Sequence, residues 1–265
     1  SVQDSSLELH GGRLTIAATN DASAVSFNRV PTVSGVNITI RAAETVSILA
    51  QSGAPRLLRI STVSTWLDNK AIFGNDSASF NLTAVGRASG SYSGPTALLL
   101  QSASKVENSS FSIDGALIAL EGEGCSAHDC PTAVFAAVTV PSMVNVHVAI
   151  GNGSTPNTTA RSELDAAVVV ALANVGSMVG CSVHQTASSL RLDSVSGDAA
   201  WTFITSSSIE ASQFVLGATV STVNDVQVHS KTGSATLVTT FDSRLTGVHV
   251  SAQGIGRLSC SSGND

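Results

Sequence analysis

An eight-residue pattern of hydrophobic and polar positions recurs along the chain. In this octad a small residue or proline leads, the third position is apolar, and the sixth and eighth positions are mainly apolar. The copies begin at Pro31, Ser64, Ser104, Pro141, Gly176, Ser207, Ser221 and Ser243. Without the Ser221 copy, successive copies start 33, 40, 37, 35, 31 and 36 residues apart. The chain therefore has a repeat of about 35 residues, which is typical of solenoids and propellers.

Short apolar runs precede nearly every octad and predict strands. They are rich in Val, Ile, Leu, Thr and Phe and are separated by Gly, Ser, Asn and Asp, as expected for strands and turns. Residues 165–175 are the best candidate for a helix, but their valine triplet and their place in the repeat favour a strand. Each repeat therefore supplies two or three short strands.

This pattern predicts an all-β parallel β-helix (solenoid) of about seven coils. A propeller would need repeats of about 40–45 residues and more aromatic side chains, whereas a non-solenoid β-sandwich with a binding role stays open as an alternative. We expect a single domain over residues 1–265. Residues 1–23 would form an N-terminal coil or cap, residues 24–253 the repeating coils, and residues 254–265 a C-terminal tail.

Composition restricts both the core and the partners. Of the 265 residues 43% are hydrophobic and only 12% charged, with 8 Phe, 2 Trp and 1 Tyr, so small and β-branched side chains must build the core. The net charge of −6 argues against nucleic acid as a partner. The longest apolar stretch, residues 166–173, is shorter than the roughly 20 residues that span a bilayer, so we expect no transmembrane segment.

Sequons and cysteines favour an extracellular or cell-surface protein. N-linked glycans are expected on outward positions at six sequons, Asn37, Asn75, Asn81, Asn108, Asn152 and Asn157. The four cysteines are an even number, as in secreted proteins. Cys125 and Cys130 bracket a short loop, which predicts a local disulfide. Cys181 and Cys260 could form a second disulfide only if the tail folded back, so this pairing stays open.

The strands of several octads carry a resemblance to a known fold. The sequences VNITI, VNVHV, VQVHS and VHVSA resemble those of pectin-lyase-like right-handed parallel β-helix proteins. The Ser/Ala/Val-rich, sequon-bearing texture is also similar to the dispersed-gene-family surface glycoproteins of trypanosomatid protists. The first resemblance implies a polysaccharide lyase or hydrolase, whose acidic residues should then lie on one sheet.

The octad residues expected to point outward do not supply such a catalytic pair. Asp68 and Asp225 are the acids among them, and more than four coils would separate them, whereas glycoside hydrolysis needs carboxyls about 5–9.5 Å apart. We therefore predict no enzymatic activity, no catalytic residue and no cofactor. Four histidines are expected on the same outward face, which could form a metal-binding or pH-sensitive ladder or simply be solvated: His147, His184, His229 and His249.

Residues 121–130 concentrate further candidate ligands, namely Glu121, Glu123, His128 and Asp129, around two cysteines. Their spacing differs from that of known zinc sites, so we interpret the segment as a disulfide-closed loop and predict no metal site.

The ends of the predicted solenoid suggest how the protein works. No amphipathic capping helix is visible at either end, and open strand edges template further strands. We expect a glycosylated structural or adhesive β-solenoid that self-associates end to end as a filament or surface-coat subunit, with extracellular polysaccharide or other surface glycoproteins as further partners. The alternative is a carbohydrate-binding or polysaccharide-degrading β-helix protein.

Overall fold

The computed structural model is a parallel β-solenoid. It describes residues 1–75, 78–84, 94–122, 132–151, 157–186, 188–217, 224–241, 243–253 and 255–263. Within these ranges the chain contains strands but no helix, and the repeat is near 35 residues over about 6 turns. The predicted fold class is therefore confirmed.

The described residues contain twenty-five strands in chain order. They are β1 (Val2–Gln3), β2 (Ser6–Ala18), β3 (Ala22–Asn28), β4 (Thr32–Ser34), β5 (Asn37–Ala50), β6 (Pro55–Ser61), β7 (Thr65–Leu67), β8 (Lys70–Gly74), β9 (Ser79–Ala84), β10 (Thr96–Gln101), β11 (Lys105–Asp114), β12 (Leu117–Gly122), β13 (Thr132–Val138), β14 (Ser142–Ile150), β15 (Asn157–Ser162), β16 (Ala167–Val179), β17 (Ser182–Thr186), β18 (Ser189–Ser194), β19 (Ala199–Glu210), β20 (Gln213–Gly217), β21 (Asn224–Ser230), β22 (Ala235–Phe241), β23 (Arg244–Thr246), β24 (His249–Ala252) and β25 (Ile255–Ser262).

All strand pairs are parallel and define four faces. Face 1 contains β3, β6, β10, β13, the first parts of β16 and β19, and β22. Face 2 contains the three-residue strands β1, β4, β7 and β23 with the matching parts of β11, β14, β16 and β19. Face 3 contains the first parts of β2 and β5, then β8, the ends of β11 and β14, β17, β20 and β24. Face 4 contains the ends of β2 and β5, then β9, β12, β15, β18, β21 and β25.

The octad spans face 2, the corner and the start of face 3, and its alternation sets the core. Its third, sixth and eighth residues are buried in the middle coils, where they stack on the same positions of the coils above and below. Trp66 is the largest of them, fully buried, with its ring 6.3 Å from Phe111 and 5.2 Å from Phe27. Because identical positions stack, each coil closes the interior of its neighbour.

The corner between faces 2 and 3 requires a left-handed residue in every coil. The fifth octad residue has a positive φ in each copy that lies at this corner: Gly35, Asp68, Asn108, Asn145, Gly180, Ala211 and Gly247. Gly, Asn and Asp tolerate this conformation best. The small or turn-forming residue of the octad thus makes the bend that the solenoid needs.

Face 1 differs from the other faces because both of its sides are apolar in the middle coils. Its inward residues belong to the main core. On its outward side a second buried cluster comprises Leu99, Ala133, Ala136, Val138, Val168, Ala171 and Ala200. This explains why the runs of this face are continuously hydrophobic rather than alternating.

The C-terminal segment of the chain differs from the sequence interpretation, whereas two other segments agree with it. Residues 1–16 form β1 and most of β2, as expected, and residues 165–175 contribute to strand β16 rather than a helix. The segment 254–265, expected to be a tail, instead supplies β25, which pairs with β21 and extends face 4. The apolar residues Leu258 and Cys260 alternate with polar ones, which is the pattern of a strand.

Candidate functional site

The outward residues of face 3 form columns that run along the solenoid. One column consists of Asn37, Lys70, Ser110, His147, Ser182, Gln213 and His249. Within it His147 Nδ1 lies 2.8 Å from Ser182 Oγ, and His184 stands in the neighbouring column beside Ala149. A shallow groove of about 210 Å³ is lined by residues that include Lys70, Ser110, His147, Ser182 and His184.

Only three of the four predicted histidines share this face. His229 lies on face 4, where it pairs with Asp193 and Ser261, and Asp225 lies on the same strand. The prediction was wrong because the Ser221 octad copy alternates like the others but belongs to a different face. Among the described residues, no group of three or more His, Cys, Asp or Glu side chains could hold a metal ion.

A polar cleft lies at the C-terminal part of face 4. It has a volume of about 310 Å³ and crosses three adjacent strands, β18, β21 and β25. We call it the arginine cleft, and its lining residues are Arg191, Asp193, Gln227, Val228, His229, Arg257, Ser259 and Ser261. It combines two guanidinium groups, an imidazole and two hydroxyls, which donate hydrogen bonds to anionic oxygens.

Within the described residues, the hydrogen bonds and ion pairs of the arginine cleft leave one guanidinium, that of Arg257, unpaired. Arg191 Nε donates to Asp193 Oδ2 at 2.7 Å, so this carboxylate is neutralised. Gln227 Nε2 donates to Asp225 Oδ2 at 2.8 Å. His229 Nδ1 lies 2.9 Å from Ser261 Oγ. In the described part of the chain no carboxylate lies within 4.0 Å of the exposed Arg257 guanidinium.

Sequence analysis missed Arg191, Asp193 and Arg257 as site residues. A signal was present, since residues 189–194 and 255–262 both alternate apolar with charged or hydroxyl side chains. Their convergence depends on the pairing of β18, β21 and β25, which the octad spacing did not reveal.

A separate ion cluster lies beside face 1. The Asp21 carboxylate contacts the Nη1 atoms of Arg59 at 2.9 Å and of the buried Arg56 at 3.3 Å, and it accepts a hydrogen bond from Ala54 N–H at 2.9 Å. Burial disfavours the charged carboxylate, but this hydrogen bond and the two guanidiniums outweigh burial and lower the pKa of Asp21. Burial lowers the pKa of Arg56, against the attraction of Asp21. The cluster ties adjacent coils together.

The sixth octad position forms a buried column with polar members. Asn69 Oδ1 accepts from Val36 N–H at 2.8 Å, and its Nδ2 donates to Val33 C=O at 3.0 Å. Ser109 Oγ accepts from Asn69 N–H at 3.2 Å, and Ser212 Oγ accepts from Cys181 N–H at 3.2 Å. These side chains satisfy backbone groups that the corner leaves without sheet partners.

Both described cysteines are free thiols. Cys181 is buried in the sixth-position column and Cys260 is exposed on β25, so the disulfide left open between them does not form. Burial raises the pKa of both thiols, which favours the unreactive protonated form. Cys125 and Cys130 lie outside the described residues, as do Glu123, His128 and Asp129. Glu121 is exposed on β12, with its carboxylate 3.8 Å from Arg161 Nη1.

The described sequon asparagines lie on outward positions or at a corner. Asn37 is exposed on face 3, Asn157 is exposed on face 4 and Asn81 is half-buried there, each alternating with buried neighbours. Asn108 is exposed at the left-handed corner, where its Oδ1 accepts from Asn145 Nδ2 at 3.1 Å. Asn75 is half-buried after β8, and Asn152 lies outside the described residues.

Comparison of the chain with known proteins identifies no relative. No family model, no curated protein and no solved structure matches the chain. The architecture is consistent with the pectin-lyase-like β-helix fold. In the described residues there is no helix of the length and hydrophobicity that crossing a membrane requires.

Proposed function

We propose that the protein is an extracellular, glycosylated structural or adhesive β-solenoid that assembles end to end. The observation that carries this proposal is that inward apolar columns remain uncovered at both ends of the described solenoid. Leu7 and Leu9 in the first coil and Leu245, Val250 and Leu258 in the last coil are all exposed. In the middle coils the same columns are buried, so another coil would remove this surface from water.

A second copy of the same chain fits the uncovered apolar columns at the ends of the solenoid. Leu7 and Val250 belong to one inward column, Leu14 and Leu258 to another, and Val2 and Leu245 to a third. A copy placed one strand spacing of about 4.8 Å beyond the last coil continues each column with an apolar residue. Within the described residues the strands of the terminal coils are paired on one side only, so backbone groups on their other side can pair with that copy.

Surface chemistry supports an extracellular location. The exposed Asn37, Asn108 and Asn157 are sequon asparagines, and serine and threonine side chains recur on the outward positions of faces 3 and 4. The Ser/Ala/Val-rich texture supports kinship with trypanosomatid surface glycoproteins as part of this proposal. Glycans at these positions would discourage lateral pairing while leaving the ends open for stacking.

Sedimentation velocity over a range of protein concentrations, with electron microscopy, tests the assembly. We expect concentration-dependent growth into rods. Leu9→Lys places a charge in an uncovered inward column and should weaken association by about tenfold or more. His10→Lys, on the next outward position of the same strand, is the matched control and should associate like the parent chain.

A monodisperse monomer at high concentration would refute the assembly, as would equal association of the two lysine variants. Intact-mass analysis before and after glycosidase treatment of natively produced protein tests glycosylation, and a mass free of sugar would contradict that part.

Carbohydrate binding is a second candidate function, and the arginine cleft favours it. Its lining is nearly all polar, and it is open across three strands, which suits a hydroxyl-rich ligand better than an apolar one. Titration with monosaccharides, followed by amide NMR shifts of β18, β21 and β25, tests it. Absence of shifts at saturating sugar would contradict it.

A further inference from the structure

We propose that the arginine cleft binds the sulfate group of an O-sulfated saccharide. This inference rests on the second candidate function and names its ligand class. It does not depend on end-to-end assembly, because the cleft faces sideways from face 4.

The charge of the cleft selects a monoanion. Arg191 and Arg257 contribute two positive charges, and Asp193 returns one negative charge through its 2.7 Å hydrogen bond with Arg191. Asp225 lies beside Arg257 in the pairing of β21 with β25 and keeps its negative charge, but its Oδ2 accepts from Gln227, its Oδ1 is buried, and it forms no ion pair with Arg257. The exposed Arg257 guanidinium can therefore pair with a sulfate ester, which carries a single charge, whereas a second negative charge on the ligand would add to the repulsion from Asp193 and Asp225.

The arrangement of donors favours a tetrahedral group over a planar carboxylate. Arg191 stands on β18, His229 on β21, and Arg257 with two serines on β25. The outer two strands are separated by two strand spacings, about 9.6 Å, so donors approach the space from several directions. The three terminal oxygens of a sulfate ester can each meet a different donor, whereas a carboxylate is satisfied by one guanidinium fork.

Groups at the cleft margin can hold the sugar that carries the sulfate. Gln227 Nε2 is engaged with Asp225, which leaves its carbonyl oxygen to accept from a ring hydroxyl. Ser259 stands in the same outward column as Gln227 and Arg191 and can donate or accept. None of the six sequons lies on β18, β21 or β25, so the protein's own glycans would not be attached within the cleft.

Isothermal titration of the full chain with four matched sugars tests the proposal: galactose 6-sulfate, galacturonate, galactose 6-phosphate and galactose. We expect galactose 6-sulfate to bind about tenfold more tightly than galacturonate or galactose, and the phosphate monoester, a dianion at pH 7.5, to bind more weakly than the sulfate. Arg257→Gln should abolish this preference. Arg244→Gln, an exposed arginine of the same coil on face 2, should retain it, and thermal melting confirms that both variants fold.

Each other outcome overturns the proposal in a recognisable way. Galacturonate binding as tightly as the sulfate would refute the tetrahedral preference but preserve carbohydrate binding, and tighter phosphate binding would refute the monoanion argument. Equal binding of plain galactose would show that no anion is recognised. Binding unchanged in Arg257→Gln would move the site elsewhere, and no binding by any of the four sugars would contradict both the inference and the second candidate function.

Discussion

The middle and terminal coils carry the same columns of residues in different surroundings. Trp66 and Leu245 both occupy the third octad position on face 2, but Trp66 is 0% exposed and Leu245 is 46% exposed. The difference arises because a coil buries its apolar residues only when coils lie on both sides of it. In a solenoid, the contribution of an apolar side chain to stability therefore depends on the coils above and below it more than on its own strand.

The largest difference in stability is expected between alanine substitutions of the third octad position in a middle coil and in the last coil. Trp66→Ala should lower the free energy of unfolding by about 3–5 kcal/mol, because it leaves a cavity against Phe27 and Phe111. Leu245→Ala should cost less than about 1 kcal/mol, because that side chain is half exposed. Chemical denaturation monitored by circular dichroism measures both values, and similar losses would refute the contrast.

The next largest loss of stability is expected from removing a buried polar side chain at the corner between faces 2 and 3. Asn69→Ala removes the acceptor for Val36 N–H and the donor to Val33 C=O, which should cost about 2–3 kcal/mol. Asn37→Ala, an exposed asparagine on the neighbouring coil, is the control and should change stability by less than about 0.5 kcal/mol. The same denaturation assay, on unglycosylated protein, measures both variants. Equal losses of stability would contradict the role of the Asn69 hydrogen bonds.

The ion cluster of Asp21 should make a contribution to folding stability that depends on pH. Because its folded pKa is lowered, the Asp21 carboxylate stabilises the fold above its unfolded pKa of about 3.9, and this stabilisation is lost as the pH falls through the folded value. Asp21→Asn should cost about 2 kcal/mol at pH 7. This deficit should shrink below about pH 4, as measured by melting across pH, and a deficit independent of pH would contradict the ionic origin.

The smallest effect is expected at the left-handed corner. Ala211 has a φ of 46° and Gly247, one coil further on, has a φ of 61°. Ala211→Gly should stabilise the fold by about 0.5 kcal/mol because alanine is strained there, whereas Gly247→Ala should destabilise it by about 1 kcal/mol. Thermal melting of the pair tests the argument, which fails if both changes have the same sign.

Periodic features were predictable from sequence, and features that depend on pairing between faces were not. The octad predicted the strands, the inward Val36 and Ile38 and the turn at Gly35, because strand alternation and turn preferences are local properties. The same reasoning placed His229 on the wrong face, because alternation is identical on every face. The arginine cleft was missed for a related reason, since its three strands are more than 30 residues apart.

The sequence by itself determined that the chain is a β-solenoid with a largely aliphatic core, since a repeat near 35 residues of alternating strands and turn residues has few other ways to bury its apolar positions. Only the tertiary structure decided which outward residues meet. Strand pairing brings Arg191, His229 and Arg257 together, pairs Asp21 with two arginines from the next coil, and leaves Leu9 and Val250 uncovered. Such contacts depend on the register between coils, which is set by packing along the whole interior rather than by any one segment.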